Sequence, residues 1–120
     1  MNRQIKFRVW NKPAKCFIQD INNEIATFTL LTLSDYLKEY SISNIDHLIF
    51  QQYTGLNDKN KKPIYEGDFI RGQFDHGPAG LREEILPVRW SKEDGYQWNY
   101  WDLSTIEVIG NLFENPELLK

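Results

Sequence analysis

At 120 residues the chain has the size of one domain and can bury roughly two-thirds of its unfolded surface, enough for a core without disulfide or metal staples. Hydrophobic residues make up 41% and charged residues 26%, near the ordinary globular range, and aromatics reach 14%, which suits a small β-rich core. The net charge of -3 divides into +1 over residues 1–60 (7 Lys/Arg, 6 Asp/Glu) and -4 over residues 61–120 (7 and 11), and the missing basic excess disfavours nonspecific DNA binding.

Cys16 is the single cysteine, so no intramolecular disulfide forms, which fits a reducing compartment. The opening Met-Asn-Arg-Gln-Ile-Lys has no apolar core of signal-peptide length. The longest apolar-leaning run, Ile25 to Leu33, is interrupted by three Thr and is too short to span a bilayer. A cytosolic, soluble protein is expected.

In chain order, Ile5 to Trp10 alternates, with Ile5, Phe7 and Val9 on one face of a strand and Lys6, Arg8 and Trp10 on the other. Asn11 to Lys15 turns, and Cys16 to Ile18 returns as a hairpin. Ala26 to Leu33 is rich in Thr, Phe and Leu and reads as strand. Ser34 to Tyr40 reads as a short helix capped by Ser34 or Asp35, with Leu33, Leu37 and Tyr40 or Tyr36 sharing a face. Asn44 to His47 is a loop. Leu48 to Tyr53 follows as a strand, with Leu48 and Phe50 inward and Gln51 and Tyr53 opposite.

Gly55 to Pro63 is a long turn in which Asn57, Asp58 and Asn60 can bond their own backbone. Ile64-Tyr65 is a brief strand, Gly67-Asp68 a tight entry, and Phe69 to Phe74 a strand. His76 to Gly80 is a surface excursion. Leu86, Val88 and Trp90 line the next strand, Ser91 to Gly95 turns back, and Tyr96 to Trp101 is a further strand. Glu107 to Phe113 is the last strand, and Asn115-Pro116 starts a terminal single-turn helix. Many short strands between turns favour a twisted, partly closed antiparallel sheet over a parallel α/β fold. With no repeat, low-complexity tract or linker, the chain is expected to be a single domain. Residues 1–47 would form a hairpin-and-helix subregion and residues 48–120 a β-barrel core.

Three segments resemble the YopX family of bacteriophage and prophage proteins. They are Ile-Lys-Phe-Arg-Val-Trp (5–10); Gln52 to Asn60 with Ile64-Tyr65-Glu66-Gly67-Asp68-Phe69-Ile70-Arg71; and Ile106 to Leu119. They span nearly the whole chain in order, while residues 22–45 resemble nothing specific. The resemblance implies an SH3-type β-barrel at the C-terminal core and a mobile-element origin. The function of that family is not established, so no catalytic residue carries over.

Glu66-Gly67-Asp68 sets two carboxylates around a glycine. The chemical reading is acid–base work or cation binding; the structural one, a positive-φ turn with Asp68 bonding nearby amides, is favoured because no further ligand accompanies them. Cys16, His47 and His76 lie at no metal-ligand spacing, so neither metal nor cofactor is expected. No phosphate loop and no nucleophile elbow occurs.

Tyr96, Trp98 and Tyr100 would share one face of a strand, with Trp101 on the other. Both faces cannot fit inside a small barrel, so exposed or interface-buried aromatic area is expected there. Tyr96, Trp98, Tyr100, Trp101, Arg71 and Arg89 form the candidate binding surface. The leading expectation is a non-enzymatic, phage-encoded β-barrel that binds a protein partner or self-associates. The alternative is a nucleic-acid-binding module using Arg71, Arg82, Arg89 and Lys92 near Trp98.

Overall fold

The computed structural model describes residues 5–39 and 45–119 and shows a mainly β chain. It divides into two compact units, Met1–Tyr53 and Thr54–Lys120, each taken by itself below.

In the first unit, β1 (Phe7–Asn11) turns into β2 (Cys16–Phe17), pairing Trp10 with Phe17 and Asn11 with Cys16. The turn is held by Lys15 N–H donating to Asn11 O at 2.8 Å, with Lys15 at φ 56. The other edge of β1 pairs antiparallel with β3 (Leu48–Asn57), from Phe7↔Gln52 to Asn11↔Leu48. β3 is long enough that its last residues belong to the second unit.

Both faces of β1 are covered, against the expected alternation. Arg8 and Trp10, placed on a polar face by the sequence, are 6% and 8% exposed. Arg8 Nε donates to Gln51 Oε1 at 2.8 Å, and its guanidinium lies 4.7 Å over the Phe17 ring. Trp10 meets Phe17 edge-on at 4.9 Å. A buried guanidinium is tolerable only with such partners. The expectation for β3 holds in part: Leu48 is buried as expected, but Gln51 is buried beside Arg8 and Phe50, expected inward, is 37% exposed.

The strand expected over Ala26 to Leu33 is corrected. Phe28 makes an isolated bridge to Phe7, and the helix α1 (Leu30–Glu39) begins soon after. Its start is set by a reciprocal cap. Thr32 N–H donates to Thr29 Oγ1 at 3.3 Å, and Thr29 N–H donates to Thr32 Oγ1 at 2.8 Å. A threonine here does what a Glu or Gln usually does in a capping box, so the helix starts before Ser34 and Asp35, the expected caps. Leu33, Tyr36 and Leu37, at helical spacing, pack on Val9, Phe28 and Leu48. Tyr40 and Asn44, the first residue of the expected loop, lie outside the described residues; Ile45–His47 forms a 3-10 turn.

In the second unit β4 (Pro63–Tyr65) follows the 58–62 turn as the sheet neighbour of β3. Asp58 organises that turn. Its Oδ1 accepts from the backbone N–H of Asn60 (2.8 Å) and Lys62 (2.9 Å), and its Oδ2 from Val108 N–H at 2.9 Å. Burial pushes the Asp58 carboxyl up, but these three amides and the nearby Lys62 charge outweigh it and hold its pKa below the ordinary 3.8.

A second sheet has the order β6-β5-β7, from β5 (Asp68–Asp75), β6 (Leu81–Pro87) and β7 (Glu107–Asn111). β5 and β6 form a hairpin registered from Phe69↔Pro87 to Asp75↔Leu81, closed by the Gly77–Ala79 turn. β5 and β7 pair as Phe69↔Gly110 and then Ile70↔Val108, so Ile109 is an extra residue in a bulge. Ile64, Ile70, Val88, Trp101 and Ile106 make the core of this unit.

Three expected strands differ here. The strand read through Leu86, Val88 and Trp90 begins earlier, at Leu81, and ends at Pro87; Val88 still donates to Asp68 O at 2.8 Å and accepts from Gly67 N–H at 2.9 Å, but Trp90 lies beyond the strand. The last strand stops at Asn111 because its Oδ1 accepts from Phe113 N–H (3.0 Å) and Glu114 N–H (2.9 Å), folding the chain into a turn. Tyr96 to Trp101 is not a strand; Trp98–Tyr100 is a 3-10 turn. The terminal turn forms at Pro116–Leu118, with Asn115 Oδ1 accepting from Asn111 N–H at 3.1 Å instead of capping.

The Glu66-Gly67-Asp68 step has the favoured backbone role. Gly67 sits at φ 91, and Asp68 Oδ2 accepts from Tyr65 N–H at 2.8 Å. Gly67→Ala is expected to lower stability by about 1–3 kcal/mol, because an alanine is strained at that dihedral; a urea melt measures it. No described helix is long and apolar enough to cross a membrane.

A candidate binding groove beside two tryptophans

The segment after β6 builds the wall of a groove. Ser91 and Gly95 exchange two backbone bonds of 2.8 Å, and Asp94 N–H donates to Ser91 Oγ at 3.0 Å. Gln97 then takes a left-handed conformation (φ 64), its N–H bonded to Asp94 O, and feeds the Trp98–Tyr100 turn. These steps reverse the chain and set Tyr96, Trp98 and Trp101 beside the ends of β5 and β6.

The result is a groove of about 200 Å³ with Ile70, Leu86, Pro87 and Val88 on one side and Tyr96, Trp98 and Trp101 on the other. Arg89, Ser91 and Gln97 supply its polar lining. Tyr96 and Trp98 are tilted against each other with centroids 5.8 Å apart. The Tyr96 hydroxyl donates to Glu66 Oε2 at 2.5 Å, so the first carboxylate of the Glu-Gly-Asp step anchors a groove ring. Trp101 is nearly buried and meets Phe74 edge-on at 5.0 Å, which fixes its ring.

Four of the six candidate residues come together: Tyr96, Trp98, Trp101 and Arg89. Tyr100 does not line the groove; it stacks on Phe74 with centroids 5.7 Å apart and is 38% exposed. Arg71 lies elsewhere, on the outer face of β5. It pairs with Glu107 at 2.7 Å and Glu83 at 3.7 Å, in a hollow shared with Lys59 and Thr105. The sequence reading missed the β5 and β6 side of the groove, because Ile70, Leu86 and Val88 carry the same signal as core. It also missed the Glu66–Tyr96 bond, since residues 30 apart give no local pattern. Trp90, expected in a strand face, is instead 59% exposed.

The arrangement offers flat apolar area with one cation at its edge. Among the described residues no three His, Cys, Asp or Glu side chains gather as metal ligands would. His76 Nε2 meets Glu84 Oε2 at 2.9 Å, and Cys16 is exposed.

Comparison with known proteins gives a family and a fold. The profile of the YopX protein family matches residues 6–120. Among solved structures, the chain is similar to protein EF1440 from Enterococcus faecalis at 22% identity and a TM-score of 0.59, covering 99% of this chain and 100% of that one. No curated protein matches.

Proposed function

The chain belongs to the YopX family, and from that premise we propose a non-enzymatic protein that works by contact with other proteins, either a partner or its own copies. The observation that carries this reading is the groove: three aromatic rings facing Leu86, Pro87 and Val88, with Arg89 at the edge. Aromatic anchors set in a pocket, with arginine nearby, are the composition of protein-contact hot spots. The family's phage and prophage setting, a cytoplasmic location, and a single SH3-type barrel over residues 48–120 belong to the same proposal. The barrel reading is supported by the short antiparallel strands.

Trp98→Ala tests it, because Trp98 is half-buried and makes no core contact as central as that of Trp101. Co-purification from the bacterial host and sedimentation of the full chain should reveal a stoichiometric partner or self-association. The variant should weaken it by about thirtyfold, the usual effect of losing one aromatic hot spot. A wild-type chain that sediments as a strict monomer and retains no partner would remove the reading.

A nucleic-acid reading draws on one observation, Arg89 lining the same groove as Trp98. Gel shifts with single- and double-stranded probes at low salt decide it: a backbone contact gives a shift that fades steeply with salt, and no shift retires it.

A further inference from the structure

We propose that β6 is a self-pairing edge, and that two copies of the chain join by antiparallel pairing of Leu81–Ile85 about a two-fold axis at Glu83. This goes beyond the groove reading above, naming the partner as a second copy and the surface as one outside the groove's aromatic wall.

β6 ends its sheet, so one of its sides has no strand neighbour among the described residues. The direction of its backbone groups follows from β5. Gln73 pairs with Glu83, yet Gln73 N–H donates to Thr105 Oγ1 at 2.9 Å and Gln73 O accepts from Asp102 N–H at 2.9 Å. Both groups therefore point away from β6. In an antiparallel ladder the partner residue then points away as well, and the pattern repeats every second residue. The N–H and C=O of Leu81, Glu83 and Ile85 thus face the open edge.

The side chains match the same register. A two-fold axis at Glu83 sets Leu81 opposite Ile85 of the second copy and Arg82 opposite its Glu84. Leu81 and Ile85 are 55% and 40% exposed, too much apolar surface for an edge left to solvent. Arg82 and Glu84 are complementary in charge. Their closer, non-hydrogen-bonded pairing brings the two side chains together, although Glu84 already holds His76 with one oxygen. The two Glu83 carboxylates would face each other, but each has its own Arg71 at 3.7 Å on that outer face.

The segment is also bounded at both ends. Gly80, at φ 81, turns the chain before Leu81, and Pro87 cannot donate beyond Leu86. A stretch centred on Glu83 remains, ending beside a hollow that Glu84 to Pro87 share with Leu118 and Leu119, and pairing it closes about six backbone bonds. Two-fold pairing consumes the edge of both copies, so it stops at a dimer. So short a contact buries less than a standard interface, and a dissociation constant of micromolar order is expected.

Glu83→Pro is the direct test. Its outward N–H takes no part in the β5 ladder, so proline removes an edge donor and leaves the hairpin bonds in place. By sedimentation of the full chain up to about 100 μM, wild type should be a dimer and Glu83→Pro a monomer with unchanged circular dichroism. Should Glu83→Pro fail to fold, the charges decide. Arg82→Glu should weaken the dimer at least about tenfold, and Arg82→Glu with Glu84→Arg should restore it. A monomeric wild type overturns the proposal, as does a dimer indifferent to these changes. A dimer that survives Glu83→Pro but is lost in Trp98→Ala overturns the edge and keeps the groove. A dimer lost in Glu83→Pro and kept in Trp98→Ala does the reverse.

Discussion

Asp58→Ala is expected to cost about 3 kcal/mol or more, one of the two largest single-residue losses anticipated in this chain. Three backbone N–H groups lose a charged acceptor at once, and a hydrogen bond to a charged group contributes about 1.5–3 kcal/mol. Asp58→Asn separates the roles. An amide oxygen can keep the bonds to Asn60 and Lys62, but the amide NH₂ then faces Val108 N–H, donor against donor. The turn should survive while its tie to β7 is lost, giving an intermediate loss in urea melts. The pH dependence has a definite sign. The folded carboxyl titrates below its unfolded value of 3.8, so its contribution is full above that value and is lost as pH falls through it toward the lower folded value. Wild type should lose stability across that acid window, and Asp58→Asn should lose less there.

Ile106→Ala is the second. Ile106 is fully buried and packs among Ile64, Ile70, Val88 and Trp101. Removing most of its side chain there should cost about 2–5 kcal/mol, against about 0.5–1.5 for Ile106→Val. The two variants give a slope that separates lost packing from backbone damage, since Ile106 O also accepts from Lys59 N–H at 3.0 Å and that bond survives in both. Because Ile70, Val88 and Trp101 also line the groove, Ile106→Ala should loosen Trp101 and red-shift its fluorescence before the chain unfolds. Equal losses for the two substitutions would contradict this picture.

Much of the second unit was legible because its signals are local. The turn expected from Gly55 to Pro63 holds in its middle, around Asp58, from residue chemistry alone, although Gly55 to Asn57 extend β3 and Pro63 starts β4; Glu66-Gly67-Asp68 reads as a strand entry from the dihedral freedom of Gly67. The mainly β class follows from short apolar runs between such turns, and the family follows from three ordered segments. What was not legible depends on partners far along the chain. Arg8 reads as a polar-face residue until Gln51 and Phe17 are brought to it. Thr29 and Thr32 read as β-formers, and only their mutual bonding makes them a helix start. The alternation of Tyr96, Trp98 and Tyr100 imitates a strand. Gln97 breaks it by adopting φ 64, a conformation that residue type does not announce. The ring-bearing segment was found, but its geometry and its partners on β5 and β6 were not.

The pairing of β1 with β3 has a consequence for how the chain is made. β1 and β2 leave the ribosome as a hairpin ending at Phe17, and the strand that covers the other edge of β1 begins only at Leu48. At elongation rates of about 5–20 residues per second, that hairpin waits roughly 2–6 s for its neighbour. During that interval Val9 and Trp10 have no finished core to enter, so nascent chains halted before Tyr53 should be the forms most dependent on ribosome-bound chaperones.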